Sequence, residues 1–277
     1  MKTNDKYSQL QGILENHKQV VVAYSGGVDS TFLLKAAIET LGPDKVLACI
    51  GVSASLARSQ YEQAMDNARA MGAQVQEVTI EELDDQAYAV NKSDRCFHCK
   101  SHLYTVLKKI ANQTGFGVVI CGSNFDDKDD YRPGNQAAIK LNVGSPLMEA
   151  QLTKAEIRHL SRNLKLPTAN IPASPCLASR MAYGLEITAE RLAQVEKSED
   201  LLRSLGFVEF RVRHHNTLAR IEVTEKDIPK LLEYKGRITE FVKALGFTYV
   251  TMDLQGFRSG SLNETLSTQE KQVFQSP

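Results

Sequence analysis

The sequence predicts an α/β protein with a doubly wound parallel sheet, followed by a smaller α+β C-terminal domain. Apolar runs of strand length alternate with amphipathic helical segments as far as residue 164. A glycine turn joins the first strand to a helix, as in nucleotide-binding sheets. After residue 185 the pattern changes, so we predict domains at 1–184 and 185–260 and a polar tail at 261–277.

The first domain begins with a predicted helix at 6–17, and the β-branched run Val20–Ala23 is typical of a strand buried on both faces. Thr153 and Glu156 form a capping-box pattern at the start of the last helix of this domain. Further strands are expected at 45–52, 75–80 and 116–121, and helices at 32–37, 55–72, 100–114 and 152–164.

The second domain is expected to contain a helix at 188–206, a hairpin with strands at 208–213 and 218–224, a helix at 226–246 and a strand at 249–254. Leu-Gly-Phe occurs at 205–207 and again at 245–247, each time between a helix and a strand. His214 and His215 fall in the predicted turn, where we expect surface residues.

The composition limits the class of protein. A chain of 277 residues with 42% hydrophobic residues can bury a substantial core, and its net charge of +0 argues against a polyanion-binding protein. The sequence contains no apolar run long enough to span a membrane and no signal-peptide pattern, so a cytoplasmic location is expected. Of the five cysteines, Cys49 and Cys121 lie in apolar strands and are expected in the core.

The glycine turn at 25–30, Ser-Gly-Gly-Val-Asp-Ser, has the chemistry of an anion site. Gly26 and Gly27 allow a ligand to approach the main chain, and the helix start adds N–H groups and a positive helix end. Ser25 and Ser30 add hydroxyl donors. Asp29 fits if it caps the helix or holds a magnesium ion that phosphates share. The alternative is an ordinary strand-turn-helix corner.

This turn lacks the lysine of the ordinary phosphate loop and resembles the PP-loop of ATP pyrophosphatases, which cleave ATP to AMP and pyrophosphate. The resemblance implies that the loop holds the leaving pyrophosphate. A second loop, which begins at Gly122 after the fourth strand, resembles the Gly-Ser/Thr-Asn-x-Asp-Asp loop of related enzymes. Asn124 would then lie near the nucleotide and Asp126 would be a candidate magnesium ligand, unless 126–130 is only a solvated acidic turn.

The three other cysteines are candidates for a reactive thiol or for ligands of a metal or cluster. Cys96 and Cys99 form a Cys-x-x-Cys pair in a predicted loop before a helix, a pattern that fits a redox pair, a zinc site with His98 or His102, or cluster ligands. Cys176 lies in an irregular, proline-rich segment near Arg180, which favours a thiolate. The alternative for Cys176 is a buried structural thiol.

Arginines alternate with apolar residues in one predicted strand. Arg211 and Arg213 share a strand face and would form a bidentate phosphate clamp, with Glu222 facing them from the partner strand. The alternative is a solvated charged face. Glu199 lies on the apolar face of its helix, where it would pair with the arginines or a metal, or mark the edge of the buried face.

The turn at 25–30, the segment Cys-Leu-Ala-Ser-Arg at 176–180 and the segment at 210–216 together resemble the LarE family. LarE proteins are ATP-dependent sulfur transferases of nickel-pincer nucleotide biosynthesis, in lactate racemase maturation. They adenylylate a carboxylate of a pyridinium biscarboxylate mononucleotide and convert it to a thiocarboxylate. The resemblance implies ATP and Mg²⁺, a homo-oligomer, with a hexamer expected, and Arg211 and Arg213 as ligands of the substrate phosphate.

The resemblance leaves the sulfur source open. Cys176 matches the position of the cysteine that is sacrificed to dehydroalanine in one form of the family. Some relatives instead carry three cysteines that bind a [4Fe–4S] cluster, and Cys96, Cys99 and Cys176 form such a trio. Ser179, Arg180, Glu199 and Glu222 are supporting candidates.

Other functions remain as alternatives. A tRNA thiolation enzyme of the same superfamily would also use ATP and cysteines, although the neutral charge disfavours nucleic acid. A non-catalytic nucleotide sensor would use the same loop. An amidating synthase, as in NAD or GMP synthesis, would not need Cys176, and the sequence contains no recognisable glutamine-hydrolysing domain.

Overall fold

The computed structural model describes residues 2–128, 133–258 and 260–267. The described chain divides into two compact units, one of residues 2–82 and 96–174 and the other of residues 83–95 and 175–267. The division between these units differs from the predicted domain boundary after residue 184, because residues 83–95 belong to the second unit. Within that unit, Asn91 is fully buried and donates from Nδ2 to the carbonyls of Ala182 (2.8 Å) and Leu185 (3.0 Å).

The first unit contains a four-stranded sheet in the order β3-β2-β1-β4, and every pair of neighbours is parallel. This sheet confirms the predicted α/β fold class. The strands are β1 (Val20–Ala23), β2 (Val46–Val52), β3 (Gln74–Thr79) and β4 (Val118–Cys121).

Helices cover both faces of this sheet. Val20 and Val22 of β1 pack in one hydrophobic cluster and Val21 and Ala23 in another, because successive strand residues point to opposite faces. Cys49 and Cys121 are buried, as expected. The helices, in chain order, are α1 (Thr3–His17), α2 (Val28–Leu41), α3 (Arg58–Ala70), α4 (Gln86–Ala89, in the second unit), α5 (Arg95–Thr114), α6 (Pro133–Lys140), α7 (Pro146–Glu149) and α8 (Lys154–Asn163).

The second unit is a small α+β structure, as predicted. Its sheet has the order β5-β6-β7, with β5 and β6 antiparallel and β6 and β7 parallel. A parallel pair needs a long crossover, which two helices provide here. The elements are α9 (Ala189–Ser204), β5 (Phe210–His215), β6 (Leu218–Val223), α10 (Ile228–Glu233), α11 (Lys235–Ala244) and β7 (Tyr249–Met252).

Two sequence predictions for this unit are wrong. The helix expected at 226–246 is two helices that meet at Tyr234, and Pro229 in the first turn of α10 favours the start of a new helix. The hairpin turn contains only Asn216 and Thr217, and Asn216 takes a φ of 58°. Asparagine tolerates this left-handed conformation, which two-residue hairpin turns require.

The short turn places His214 and His215 in β5. His214 is therefore not a surface residue: it is 1% exposed, and its ring centroid lies 4.7 Å from that of Phe247. Its Nε2 lies 2.9 Å from Oε1 of Gln194. Burial, followed by the charge of Arg191 and the neighbouring His215, lowers the pKa of His214 to about 4.

The described beginning of the predicted polar tail packs against the protein. Residues Ser261–Thr265 form a 3-10 turn, and Ser261, Leu262 and Leu266 are buried. The remainder of that tail, from residue 268, lies outside the described residues. Across the described ranges, no helix combines the length and apolar character needed to cross a membrane.

Candidate active site

The glycine turn lies between β1 and α2 in the first unit. Gly26 has a φ of 72°, and a Cβ added to it would lie 2.4 Å from Cβ of Ala64, so only glycine fits. Gly27 is the N-cap residue of α2 and provides no side-chain cap. The first N–H groups of α2 therefore have no partner within the helix and are suited to phosphate oxygens.

Two serines brace this turn. Oγ of Ser30 donates to the carbonyl of Gly27 at 3.2 Å and accepts from the N–H of Ser25 at 3.2 Å. The Oγ atoms of Ser25 and Ser30 are 3.0 Å apart. A Cβ at Gly122 would lie 2.9 Å from the nitrogen of Ser30, so a glycine at the end of β4 keeps this amide accessible. The predicted loop residues are thus close together.

Asp29 has one oxygen that is bonded and one that is not. Oδ2 accepts from Nζ of Lys154 at 2.6 Å and from Nδ2 of Asn124 at 3.4 Å. Oδ1 is buried, and no group in the described part of the chain forms a hydrogen bond with it. Asp29 is therefore not the helix cap that was one of its two expected roles. A buried carboxylate oxygen without a partner fits the other role, a ligand for Mg²⁺.

The second loop extends this site. The Oδ1 atom of Asn124 accepts from the N–H of Asp126 at 3.0 Å, and Oδ2 of Asp126 accepts from the N–H of Lys154 at 2.8 Å. The sequence thus placed the second loop beside the first correctly. It did not indicate Lys154, although the capping box that marks the start of α8 was recognised one residue before it.

An open cleft of about 290 Å³ lies at the carboxyl end of β2. Val52 and Leu56 provide an apolar wall, and Tyr61 belongs to α3, the helix that packs against Gly26 through Ala64. Ligands of open parallel sheets bind beyond this end of the strands. Among the described residues, the lining is Val52, Leu56, Arg58, Tyr61 and Glu62.

Cys96 and Cys99 lie in the first two turns of α5 and not in a loop, so their predicted setting is wrong. The helix begins at Arg95, after Ser93 and Asp94, residue types that favour helix starts and were available as a signal. Cys96 is exposed and Cys99 half-buried. The Cys99 thiol donates to Oε2 of Glu82 at 3.3 Å.

Cys176 belongs to the second unit, where an arginine holds its loop. It precedes the 3-10 turn Leu177–Arg180 and is partly exposed, in contrast to the alternative of a buried thiol. Nη1 of Arg180 donates to the carbonyl of Cys176 at 3.1 Å and to Oγ of Ser179 at 3.0 Å. The loop backbone is therefore fixed at a residue that is partly exposed.

Arg180 and Glu199 form a buried, bidentate salt bridge. Nε and Nη2 of Arg180 donate to the two carboxylate oxygens at 2.9 and 3.1 Å, and the side chains are 2% and 5% exposed. Glu199 also accepts from the N–H of Val212 at 3.1 Å. The bidentate partner of Glu199 is therefore Arg180, whereas the sequence suggested the strand arginines Arg211 and Arg213 or a metal.

Arg213 links β5 to the Cys176 loop. Its guanidinium donates to Glu222 at 3.0 Å, to the carbonyl of Ser179 at 3.0 Å and to Oγ of Ser261 at 3.0 Å. Glu222 is fully buried and also accepts from Arg220 at 3.0 Å. Arg213 thus has three protein partners, which differs from the open phosphate clamp expected from the sequence.

Arg211 is the more exposed of the two arginines, and its guanidinium lies 5.0 Å from the ring centroid of Phe257. Burial, followed by the charge of Arg180, lowers its pKa to about 10. Four arginines (180, 211, 213 and 220) and two glutamates (199 and 222) meet here. Arg220 also pairs with Asp253 at 3.6 Å, so these four arginines face three carboxylates and exceed them by one positive charge, which is suited to an anion.

The predicted site residues thus form two groups. The nucleotide-loop residues and the Cys96–Cys99 pair lie in the first unit, and Cys176 lies with the arginines in the second. Among the residues that the structure describes, no three His, Cys, Asp or Glu side chains are placed to hold a metal ion. The shared cluster of Cys96, Cys99 and Cys176 stays a prediction.

Comparison with known proteins gives matches over nearly the whole chain. The family model for NAD synthase matches residues 8–103. A pyridinium-3,5-bisthiocarboxylic acid mononucleotide synthase of Lactiplantibacillus plantarum is 39% identical, over 97% of this chain and 98% of that protein. An uncharacterized protein of Synechocystis sp. is 41% identical over 93% of this chain and 99% of its own length. One of Methanocaldococcus jannaschii is 31% identical, with 88% and 92% covered.

Proposed function

Because the chain belongs to the LarE family of ATP-dependent sulfur transferases, we propose that it adenylylates a carboxylate of a pyridinium biscarboxylate mononucleotide and converts it to a thiocarboxylate. The observation that carries the proposal is the presence of two sites in one chain. One is a glycine turn suited to phosphates, with an unpartnered carboxylate oxygen on Asp29. The other presents the Cys176 thiol beside a cluster of excess positive charge.

The first half-reaction would take place at the glycine turn. A carboxylate oxygen of the substrate attacks the α-phosphorus of ATP, the bond to the bridging oxygen breaks, and its electron pair leaves with pyrophosphate. The N–H groups at the start of α2, among them that of Ser30, bind the phosphate oxygens. Mg²⁺, when bound at Oδ1 of Asp29 with Asp126 as a second candidate ligand, would neutralise charge on the leaving group.

The second half-reaction requires a sulfur nucleophile. In the sacrificial route, the Cys176 thiolate attacks the carbonyl carbon of the acyl adenylate and AMP leaves. The Cα proton of Cys176 is then removed, the Cβ–S bond breaks, and dehydroalanine remains while the sulfur stays on the substrate. In the cluster route, Cys96, Cys99 and Cys176 would be ligands of a [4Fe–4S] cluster. Three thiols are the right donor type for it.

The arginine cluster would bind the phosphate of the substrate. Arg211 is the stronger candidate for direct contact, because it is more exposed than Arg213, which is buried and donates to Glu222, Ser179 and Ser261. Arg213 would then position both β5 and the Cys176 loop. We further propose a cytoplasmic homo-oligomer with a small-molecule substrate.

The NAD synthase match favours one other candidate, an ATP-dependent amidating synthase. That match ends at residue 103, so it includes the glycine turn and excludes Cys176 and the arginine cluster. The shared part is therefore the part that activates a carboxylate with ATP. A reaction that delivers nitrogen from ammonia would proceed in a Cys176→Ala variant, whereas sulfur transfer would not.

The test is a single turnover with ATP and the pyridinium biscarboxylate mononucleotide under anaerobic conditions, followed by mass spectrometry of the protein. We expect AMP and pyrophosphate in equal amounts and a thiocarboxylate product. A Cys176 peptide lighter by one H₂S establishes the sacrificial route. An unchanged peptide, with bound iron and repeated turnover on added sulfide, establishes the cluster route. No AMP from wild type, or product from Cys176→Ala, would contradict the proposal.

A further inference from the structure

The glycine turn contains no cation, although ATP carries several negative charges to it. The ordinary phosphate loop provides a lysine within its own motif. Here the turn at 25–30 provides only an acidic side chain, Asp29, which repels phosphate. An ammonium group nevertheless lies at the turn, because Nζ of Lys154 is 2.6 Å from Oδ2 of Asp29.

The backbone of Lys154 is fixed from several directions. It is the first residue of α8, and the N-cap Thr153 and Glu156 form a reciprocal capping box. Glu156 also accepts from Nζ of Lys6 of α1 at 2.8 Å, and the N–H of Lys154 donates to Asp126 at 2.8 Å. The start of α8 is therefore tied to both α1 and the second loop.

The side chain of Lys154 is less constrained than its backbone. It is 35% exposed, and Asp29 is its single ion-pair partner in the part of the chain that the structure describes. A lysine has a flexible four-carbon stem, so its ammonium can move between acceptors that lie close together. The other oxygen of Asp29 has no partner and is suited to a metal ion.

We propose that Lys154 is a catalytic residue that supplies the missing cation of the glycine turn. Without nucleotide, its ammonium neutralises Asp29. Asp29 would hold Mg²⁺ through its unpartnered Oδ1 when ATP binds, and the ammonium of Lys154 would then turn from Asp29 to the β- and γ-phosphate oxygens. It then stabilises the negative charge that develops on pyrophosphate as the bond to the α-phosphorus breaks. This inference rests on the proposed function, because the leaving group is pyrophosphate.

The test compares the binding of AMP and of inorganic pyrophosphate by calorimetry, with magnesium present, to wild type and to Lys154→Met. We expect pyrophosphate to bind about 10- to 100-fold more weakly to the variant, the range for a lost charge-assisted hydrogen bond. AMP should bind within about twofold of wild type, because it lacks the phosphates that Lys154 contacts. Lys154→Arg keeps the charge and should retain most of the pyrophosphate affinity.

Lys35→Met is the matched control. Lys35 is a half-buried lysine of the same unit, paired with Glu39 at 3.1 Å, and it lies outside the glycine turn. Its loss should change neither affinity. Lys154→Gln, which can still donate to Asp29, serves if the methionine variant fails to fold, and it should lose pyrophosphate affinity in the same way.

Pyrophosphate affinity equal to wild type in the Lys154 variants would overturn the proposal, as would an equal loss for AMP and pyrophosphate, which indicates a structural role. Wild type that does not bind pyrophosphate would overturn it as well. Failure of the proposed function is distinguishable. It appears as absence of AMP formation by wild type with the pyridinium substrate, while the difference between AMP and pyrophosphate binding persists.

Discussion

At the residue scale, the site depends on charged side chains whose partners are distant in the sequence. Glu199 was identified as unusual because it interrupts an apolar helix face, but nothing in the sequence distinguished Arg180 from the other arginines as its partner. Lys154 was missed for the same reason: its partner, Asp29, is 125 residues away. Local patterns indicate residue types and spacing, whereas such pairs are decided by tertiary packing.

Removal of the charge of Glu199, which pairs with Arg180, should cause a large loss of stability. Glu199→Gln leaves a buried guanidinium without its counter-charge and should lower the free energy of unfolding by about 3–5 kcal/mol. Asp200→Asn is the matched control, because Asp200 is the next residue of α9 and both side chains of its ion pair with Arg203 are exposed. That change should cost less than about 1 kcal/mol. Urea unfolding measures both, and similar losses would contradict the prediction.

We expect the buried His214 to make the stability of the protein fall at low pH. Its pKa is lowered to about 4 in the folded protein, against an unperturbed value of 6.5, so the unfolded chain binds the proton more readily. The stability that neutral His214 provides is therefore complete above about pH 6.5 and is lost as the pH falls toward about 4.

Urea unfolding at several pH values tests this dependence. His214→Gln removes the titrating group, so the fall in unfolding free energy toward low pH should be smaller in the variant than in wild type. His159→Gln changes an exposed histidine of α8 and should leave the wild-type profile unchanged. Identical profiles for wild type and His214→Gln would show that His214 does not cause the dependence.

At the element scale, the sequence predicted most strands and helices, because buried strands and amphipathic helices have distinct periods. It did not predict the short helices α4, α6 and α7, and it also failed where one residue decides between two structures. Asn216 permits a two-residue turn that lengthens β5 to His215, and Pro229 begins a new helix within an apparently continuous pattern. At α5 the helix starts five residues earlier than expected, which places Cys96 and Cys99 on the helix.

Alanine substitutions at Gly26, in the turn between β1 and α2, and at Gly12, in α1, should have opposite effects on stability. Gly26→Ala should be destabilised by at least ~1–2 kcal/mol from the left-handed backbone alone, in addition to the clash with Ala64. It should also lose ATP binding. Gly12→Ala lies in α1 with no atom within 4 Å of the added Cβ, and it should raise stability by ~0.5–1 kcal/mol. Thermal unfolding and ATP titration test both, and a Gly26→Ala variant that binds ATP normally would be inconsistent with a phosphate site at this turn.

At the scale of the whole molecule, the chain combines a carboxylate-activating site with a sulfur-handling site. The sequence indicated both through short motifs, the glycine turn and the Cys176 segment. It did not predict that residues 83–95 pack with the second unit or that Ser261 bonds Glu222 and Arg213. These contacts join segments far apart in the chain, and no local pattern encodes them.

In the proposed reaction, one oxygen of the substrate carboxylate leaves with AMP and sulfur takes its place. The test uses substrate whose carboxylates carry a heavy isotope of oxygen, in a single turnover analysed by mass spectrometry. We expect one heavy oxygen in AMP, none in pyrophosphate, and a product in which sulfur replaces that oxygen. Unlabelled AMP, label in pyrophosphate, or nitrogen in place of sulfur would contradict it.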